Sequence, residues 1–329
     1  MKRIHRIVTA RDVARWIADG QGEGEGANYK EWMGVRDFPS SGNTYRAASS
    51  VTGHDHTLFS KTEWTLFLSV ERMCIEFKAQ KSIPRDITAA AASKLGVAHP
   101  VFVPGTEPWV VTVDALVRHR TRSAWAAADI RADTAPDNLS LAIPTAKKEA
   151  TTVPAILARW GVLIESYDEL LRIARSHELV VYDSKLEADL ADQRVLELLS
   201  VSRLSSEYLG WRYFLVTDKV LPESLRENLE WIRRGSRKKH ELDSPSGLFN
   251  HYPRLMLQDI RRQPAAMPLA QYCGEFEVVH GLPSGIGLRV LQILLWNEDL
   301  LVDPMVPNLE SRSISALRPK LAVVGQKAA

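Results

Sequence analysis

A regular alternation of strand and helix patterns between residues 178 and 234 constrains the fold of this chain most. Residues 178–183 and 212–218 are short runs rich in β-branched and aromatic side chains, a composition typical of strands. Longer segments with apolar residues at helical spacing follow each of them, at about 192–209 and 222–234. This order predicts an α/β domain in which neighbouring strands of the sheet are parallel.

Upstream segments add elements to the same domain. Residues 10–19 and 85–95 are predicted helices, and residues 60–77 carry apolar side chains at three- and four-residue steps, which predicts a longer helix facing the core. Residues 109–117 read WVVTVDALV, a β-branched run that predicts a strand. We therefore expect a mixed sheet flanked by helices.

Residues 118–177 lie between the upstream elements and the later alternation of strands and helices. They show no continuous helix or strand pattern. Helical spacing of apolar residues returns only over 153–175. We interpret residues 118–177 as an insertion between two strands that lie side by side in one sheet. Its two ends should therefore be close together.

The C-terminal third has its own composition. Residues 233–240 form a charged run that indicates a linker, and residues 287–304 suggest a helix, a polar turn and a short strand, as in a winged-helix module. We expect an N-terminal helix and loop segment at 1–50, an α/β domain at 51–235 and a mainly helical domain at 241–329.

Length, charge and cysteine content limit the classes of protein to which this chain can belong. A length of 329 residues fits about two domains, and a formal net charge of +2 neither requires nor excludes a nucleic-acid partner. Cys74 and Cys273 lie far apart without a Cys-x-x-Cys motif, which excludes a disulfide framework. The start of the chain lacks an apolar signal segment, and no run of about eighteen apolar residues occurs. We expect a cytoplasmic protein.

Four polar residues occupy positions that suit phosphodiester chemistry. Glu63 lies near the start of an early helix, Asp114 within an apolar strand, and Asp183 and Lys185 at the end of the next strand. Carboxylates that face one point can hold Mg²⁺, and a lysine can orient or deprotonate a water and offset charge on a phosphate. Because side chains alternate along a strand, Asp183 and Lys185 should share a face and Ser184 should face the opposite layer.

Each of these residues also has a structural interpretation. Ser60-x-x-Glu63 fits a capping box, in which the glutamate only closes the helix N-terminus. Asp183 and Lys185 could simply be solvated at a strand end. Asp114 is the strongest signal, because a carboxylate among apolar strand residues is costly unless it is paired or bound to a metal.

Two further motifs remain. His54 and His56 flank Asp55 and could bind a metal, or they could belong to an exposed polar loop. The glycines between residues 20 and 26 lack the Gly-Lys-Ser/Thr pattern of a phosphate-binding loop, so we interpret them as a loop segment.

Several blocks, in this order and spacing, resemble the TnsA family, the endonuclease subunits of Tns-type heteromeric transposases. The similarity covers most of residues 10–235, with one long interruption. It is carried by GEGANYKEWMGVRDFPSSGNTYR, FSKTEWTLFLSVE, KLGVAHPV, VVTVDALV and DQRVLELLSVSRLSSEYLGWRYFLVTDKVLPESLRENLEWI.

The resemblance implies a restriction-endonuclease-like PD-(D/E)xK fold for the α/β domain. It places the family's catalytic glutamate on Glu63 and its catalytic aspartate on Asp114. Alignment backward from residue 192 places the catalytic lysine on Lys185, with Asp183 where the family has Gln or an acid. Alignment forward from Asp114 reaches Ala128 instead, which would leave the site without its lysine.

The implied activity is Mg²⁺- or Mn²⁺-dependent hydrolysis of the 5′ strand at transposon ends in double-stranded DNA. Glu63, Asp114 and Asp183 would hold the metal ion. The implied partners are a TnsB-like transposase subunit and a TnsC-like ATPase. Two alternatives stay open: a catalytically defective module that bridges transposase, ATPase and DNA, and a restriction or repair nuclease of the same fold that acts alone.

The chain departs from the family pattern at two places. Ala79-Gln80 stands where the family has a Glu-Gln pair, and Ser202 stands at an acidic position of a later helix. Both departures bear on whether the site is fully active.

Overall fold

The computed structural model describes residues 8–34, 44–49, 51–102, 107–120, 161–236, 248–262 and 266–320. Contacts between residues divide the chain into two compact units, Met1–Leu221 and Pro222–Ala329.

The first unit contains helices and strands in an α/β arrangement. In chain order they are α1 (Ala10–Ala18), β1 (Tyr45–Ala48), β2 (Asp55–Leu58), α2 (Lys61–Val70), β3 (Cys74–Ser82), α3 (Arg85–Leu95), β4 (Thr112–His119), α4 (Tyr167–Ser176), β5 (Leu179–Lys185), α5 (Gln193–Tyr208) and β6 (Arg212–Thr217).

A four-stranded mixed sheet in the order β3-β4-β5-β6 forms the centre of this unit. The β3–β4 and β4–β5 pairs are antiparallel, whereas β5 and β6 are parallel, with α5 between them in the chain. Val113, Val181 and Leu215 share a buried apolar cluster with Leu196 and Leu199 of α5. The predicted mixed α/β fold with a parallel strand–helix–strand unit is confirmed.

The predicted helix over 60–77 is wrong in its second half. Helix α2 ends at Val70, a 3₁₀ turn covers Glu71–Met73, and β3 begins at Cys74. The apolar steps through Cys74 and Phe77 match helical spacing by coincidence, because two elements follow each other closely. Pairing with β4 and burial of Cys74 and Phe77 in the core determine the strand.

The two ends of the predicted insertion lie side by side, as expected. Strand β4 continues into it, so that Arg118 pairs with Leu179, and the His119 backbone N–H donates to the Glu178 carbonyl at 2.7 Å. The chain returns along the outer edge of β6, where Ile164 N–H donates to the Leu215 carbonyl at 3.0 Å. Residues 121–160, which include Ala128, lie outside the described residues.

The second unit is mainly helical. It consists of α6 (Glu223–Ser236), α7 (Leu248–Arg261), α8 (Leu269–His280), α9 (Ile286–Trp296), β7 (Leu300–Leu301) and β8 (Arg318–Pro319). Helix α9 packs against the other three helices, and β7 pairs with β8. The helix, turn and short strand predicted over 287–304 are confirmed as α9 and β7.

Helix α6 shares the apolar core of this second unit. Its residues Trp231 and Ile232 are buried in the same cluster as Leu291 of α9. The sequence grouped this helix with the preceding domain, whose end at about residue 235 stays a prediction. Among the described helices, none has the length and apolar character needed to cross a membrane.

Candidate active site

The candidate site lies where β4 and β5 stop pairing. Their backbone ladder ends at Ala115 and Tyr182. One step further, Asp183 Oδ1 accepts a hydrogen bond from the Asp114 backbone N–H at 2.9 Å, and Asp114 Oδ2 accepts one from the Ser184 backbone N–H at 2.8 Å. Each carboxylate therefore satisfies a backbone donor of the opposite strand, which fixes both side chains where the strands diverge.

Lys185, the last residue of β5, completes this arrangement. Its Nζ donates to Asp114 Oδ2 at 3.0 Å and to the Ser184 carbonyl at 3.1 Å. Burial lowers the pKa of Lys185, but the nearby carboxylates of Asp114 and Asp183 outweigh it, so the pKa is raised overall. The side chain remains an ammonium group and is 30% exposed, which leaves it accessible to a substrate.

Glu63 enters the site from α2. The Ser60 hydroxyl caps this helix by accepting from the Glu63 backbone N–H at 3.0 Å. The Glu63 carboxylate does not return to the Ser60 backbone; its Oε2 accepts from the Phe59 N–H at 3.0 Å and from Gln80 Nε2 at 3.2 Å. The capping interpretation is therefore correct for Ser60, whereas the Glu63 side chain contacts Gln80 on the sheet.

Electrostatics place Glu63 in the same site as Asp114 and Lys185. Burial, followed by the Asp114 charge, raises the pKa of Glu63 to about 8, and the Lys185 charge opposes this shift. The three charges therefore act on one another directly.

Gln80 belongs to the site, although the sequence alone did not identify it as functional. It is buried and adopts a left-handed conformation, with φ of 50°. Its Nε2 holds Glu63, and its Oε1 accepts from the Thr112 hydroxyl at 3.4 Å. Such a conformation costs about 1–3 kcal/mol in a non-glycine residue. The sequence signal for Gln80 was its match to the glutamine of the family's Glu-Gln pair.

Asp183 is almost completely buried, with both oxygens already bonded. Oδ1 accepts from Asp114 N–H, and Oδ2 accepts from the Tyr213 hydroxyl at 2.8 Å. Burial and the Asp114 charge raise the pKa of Asp183 to about 6. Tyr213 lies on β6, and its sequence position gave no signal beyond that of a strand residue.

The predicted orientation of Ser184 is wrong. Asp183 and Lys185 both contact Asp114, but the Ser184 hydroxyl also donates to Asp114 Oδ2, at 3.2 Å. Strict alternation assumes that both strands continue as a regular ladder. Here β5 still pairs with β6, but its ladder with β4 has ended, and the Asp114 side chain reaches across to the β5 backbone.

The donor set fits a divalent cation. Three carboxylates, Glu63, Asp114 and Asp183, face one ammonium group. Carboxylate oxygens are the ligands that Mg²⁺ prefers, and the hydrogen bonds that Asp114 accepts from Ser184 and Lys185 all fall on Oδ2.

His54 and His56 form a different cluster. Together with Glu31 they place one potential ligand atom each within 4.8 Å of one another. His56 is completely buried, so the interpretation of this motif as an exposed polar loop is wrong for that residue.

Comparison with known proteins agrees with the resemblance. Residues 221–303 match the family model described as TnsA endonuclease C terminal. The chain is 26% identical over 222 residues to the transposon Tn7 transposition protein TnsA of Escherichia coli, which covers 67% of this chain and 61% of that protein. The match therefore spans less than two thirds of the length of the curated relative. Both matches show that the chain is similar to TnsA proteins, in agreement with the resemblance found in its sequence.

Proposed function

We propose that this chain is a divalent-metal-dependent DNA endonuclease that hydrolyses the 5′ strand at transposon ends. The observation that carries the proposal is the contact of Lys185 Nζ with Asp114 Oδ2, in a site where the charge of Asp114 also reaches Glu63. A lysine beside paired carboxylates at the end of a strand is the arrangement that the resemblance predicts.

In this mechanism, Glu63 and Asp114 would hold the metal ion through their carboxylate oxygens. A bound Mg²⁺ or Mn²⁺ ion would polarise the scissile phosphate and lower the pKa of a coordinated water. Gln80 and the Phe59 backbone both donate to Glu63 Oε2, which fixes the orientation of this carboxylate.

Lys185 orients the attacking water and offsets the charge that develops on the phosphate. Because its pKa is raised, it is protonated at neutral pH and acts as a cation and hydrogen-bond donor, not as a general base. Water attack on phosphorus with loss of the 3′ oxygen leaves a 3′ hydroxyl and a 5′ phosphate.

Two alternative roles are to be distinguished for Asp183. It could be a third metal ligand, as the resemblance implies, or a residue that positions Asp114 through its backbone N–H. The engagement of both Asp183 oxygens supports the positioning role.

The proposed partners are double-stranded DNA, a TnsB-like transposase subunit and a TnsC-like ATPase, in the bacterial cytoplasm. Similarity to the Tn7 transposition protein supports this assignment. Ala128 at the lysine position would favour the alternative of a defective assembly module, whereas the contact of Lys185 with Asp114 supports an active site.

Nicking of a transposon-end duplex labelled on the 5′ strand tests the proposal. The wild-type chain with its TnsB-like subunit and Mg²⁺ should nick this strand, and chelation of the metal should stop the reaction. A chain that assembles with its partners but never nicks would instead be the bridging module. Nicking at full rate without partners would indicate a nuclease that acts alone.

A further inference from the structure

Glu31 reaches the hairpin formed by β1 and β2 from a distant part of the sequence. Its Oε1 accepts a hydrogen bond from the Thr57 backbone N–H at 2.6 Å, which fixes the carboxylate against β2. His56 lies on the same strand and His54 in the turn before it. These three side chains bring one carboxylate oxygen and two imidazole nitrogens to within 4.8 Å of one another.

The ring of His54 has an unsatisfied nitrogen at this point. Its Nε2 is shielded from solvent and has no hydrogen-bond partner among the described residues. A hydrogen bond with the Ala27 backbone engages the ring, and because Nε2 has no partner, that bond belongs to Nδ1. Nδ1 then carries the proton, and Nε2 presents a lone pair. A buried polar atom without a partner is uncommon, and a bound ion is one of its explanations.

The ring of His56 is held in a fixed orientation. It packs against Phe67 and Phe77, at centroid distances of 5.5 and 5.1 Å, and its Nε2 shares a hydrogen bond with the Thr52 hydroxyl at 2.9 Å. Histidines that bind metals are commonly oriented by a hydrogen bond from the second ring nitrogen.

We propose that Glu31, His54 and His56 form a second metal site that binds a transition metal ion such as Zn²⁺. Two imidazole nitrogens and one carboxylate oxygen suit zinc or iron, whereas Mg²⁺ and Ca²⁺ take oxygen ligands. Bonds of about 2.0–2.2 Å require the three ligand atoms to approach one another by roughly 1 Å. Three protein ligands leave a fourth position for water or a further group.

This ion would support the segment that leads to the candidate active site. It would tie Glu31 to the β1–β2 hairpin, and β2 runs directly into α2, which carries Glu63. His56 also packs on Phe67 of α2. The role is therefore to hold α2 in place, and it is separate from catalysis at the phosphate.

Metal content after zinc loading tests the site. The full chain is incubated with Zn²⁺, passed over a desalting column and analysed by mass spectrometry for bound metal. We expect one retained equivalent per chain in the wild type and also in Asp114→Asn, because that substitution alters only the candidate active site. His54→Ala and Glu31→Gln should each lose the equivalent.

Asp55→Asn is the matched control, because Asp55 is exposed and lies between the two histidines. It should retain the zinc. Glu31→Gln preserves the shape of the side chain and decides the question if His54→Ala fails to fold. Added Zn²⁺ should also raise the unfolding temperature of the wild type but not of Glu31→Gln. A wild type that retains no zinc, or a Glu31→Gln variant that retains a full equivalent, would overturn the proposal.

Discussion

At the scale of residues, a single oxygen of Asp114 accepts three hydrogen bonds. Ser184 N–H, the Ser184 hydroxyl and Lys185 Nζ all donate to Oδ2. This crowding on one side directs the second oxygen away from β5. The carboxylate is therefore positioned by β5 before any ligand binds, which reduces the reorganisation that binding would require.

The ionisation of Glu63 should be visible in the pH dependence of stability. Its folded-state pKa is about 8 against an ordinary value of 4.5, so between these values the folded chain holds a proton that the unfolded chain has lost. The free energy of unfolding should then fall as pH rises through this window. Glu63→Gln cannot ionise and should remove that part of the decline.

Urea unfolding of metal-free wild type and Glu63→Gln at about pH 5 and about pH 9 measures this effect. Asp183 contributes a decline of the same sign, but it is common to both proteins and cancels in the comparison. Equal pH dependence in the two proteins would show that Glu63 ionises normally.

Asp183→Asn should separate the two roles of that residue. An asparagine can still accept from Asp114 N–H through its oxygen and donate to the Tyr213 oxygen through its amide. If Asp183 positions Asp114, metal affinity measured by titration calorimetry should fall by less than about 10-fold, the lower end for a lost supporting contact. A larger loss would make Asp183 a metal ligand.

At the scale of elements, α6 is attached to the C-terminal unit through a buried asparagine. Asn228 Nδ2 donates to the carbonyls of Pro304 and Val306, and its Oδ1 accepts from Leu309 N–H. Asn228→Ala leaves these backbone groups without partners and should destabilise the protein by about 1–3 kcal/mol. Thermal unfolding measures this loss, and Glu227→Ala, at an exposed neighbour, is the control. Equal stability of the two variants would contradict this account of α6.

Individual elements show how far the sequence could predict this fold. Periodicity and β-branched composition were enough to predict α3, α5, β5 and β6, because each sequence pattern there covers a single element. The prediction of one helix across α2 and β3 failed, because the local spacing of apolar residues does not show where a helix ends and a strand begins. The pairing of β3 with β4 in the folded chain reveals this change.

The site was predictable to a similar extent. Glu63, Asp114, Asp183 and Lys185 were found because charged residues beside apolar runs are visible in the sequence, and the structure brings them together. Gln80 and Tyr213 were missed because neutral polar residues are common in strands. Their contacts with Glu63 and Asp183 exist only after the sheet has formed.

At the scale of the whole molecule, the division between Leu221 and Pro222 predicts where the chain can be cut. A fragment of residues 222–329 keeps α6 with the core that contains Trp231 and Ile232, so it should fold and unfold cooperatively on heating. A fragment starting at residue 241 lacks those side chains and should not. Circular dichroism of the two fragments decides between these boundaries, and cooperative folding of the shorter one would support the boundary near residue 241.

The most direct test of the central claim is Lys185→Ala, measured in parallel for Mg²⁺ binding and for nicking of the 5′ strand at a transposon end. In the proposed mechanism, Lys185 assists the water and the phosphate but does not hold the metal. Nicking should therefore fall by about 100- to 1,000-fold while calorimetric Mg²⁺ affinity does not weaken. Lys219→Ala, at an exposed lysine, should behave as the wild type. Undiminished nicking by Lys185→Ala would contradict the proposed catalytic site.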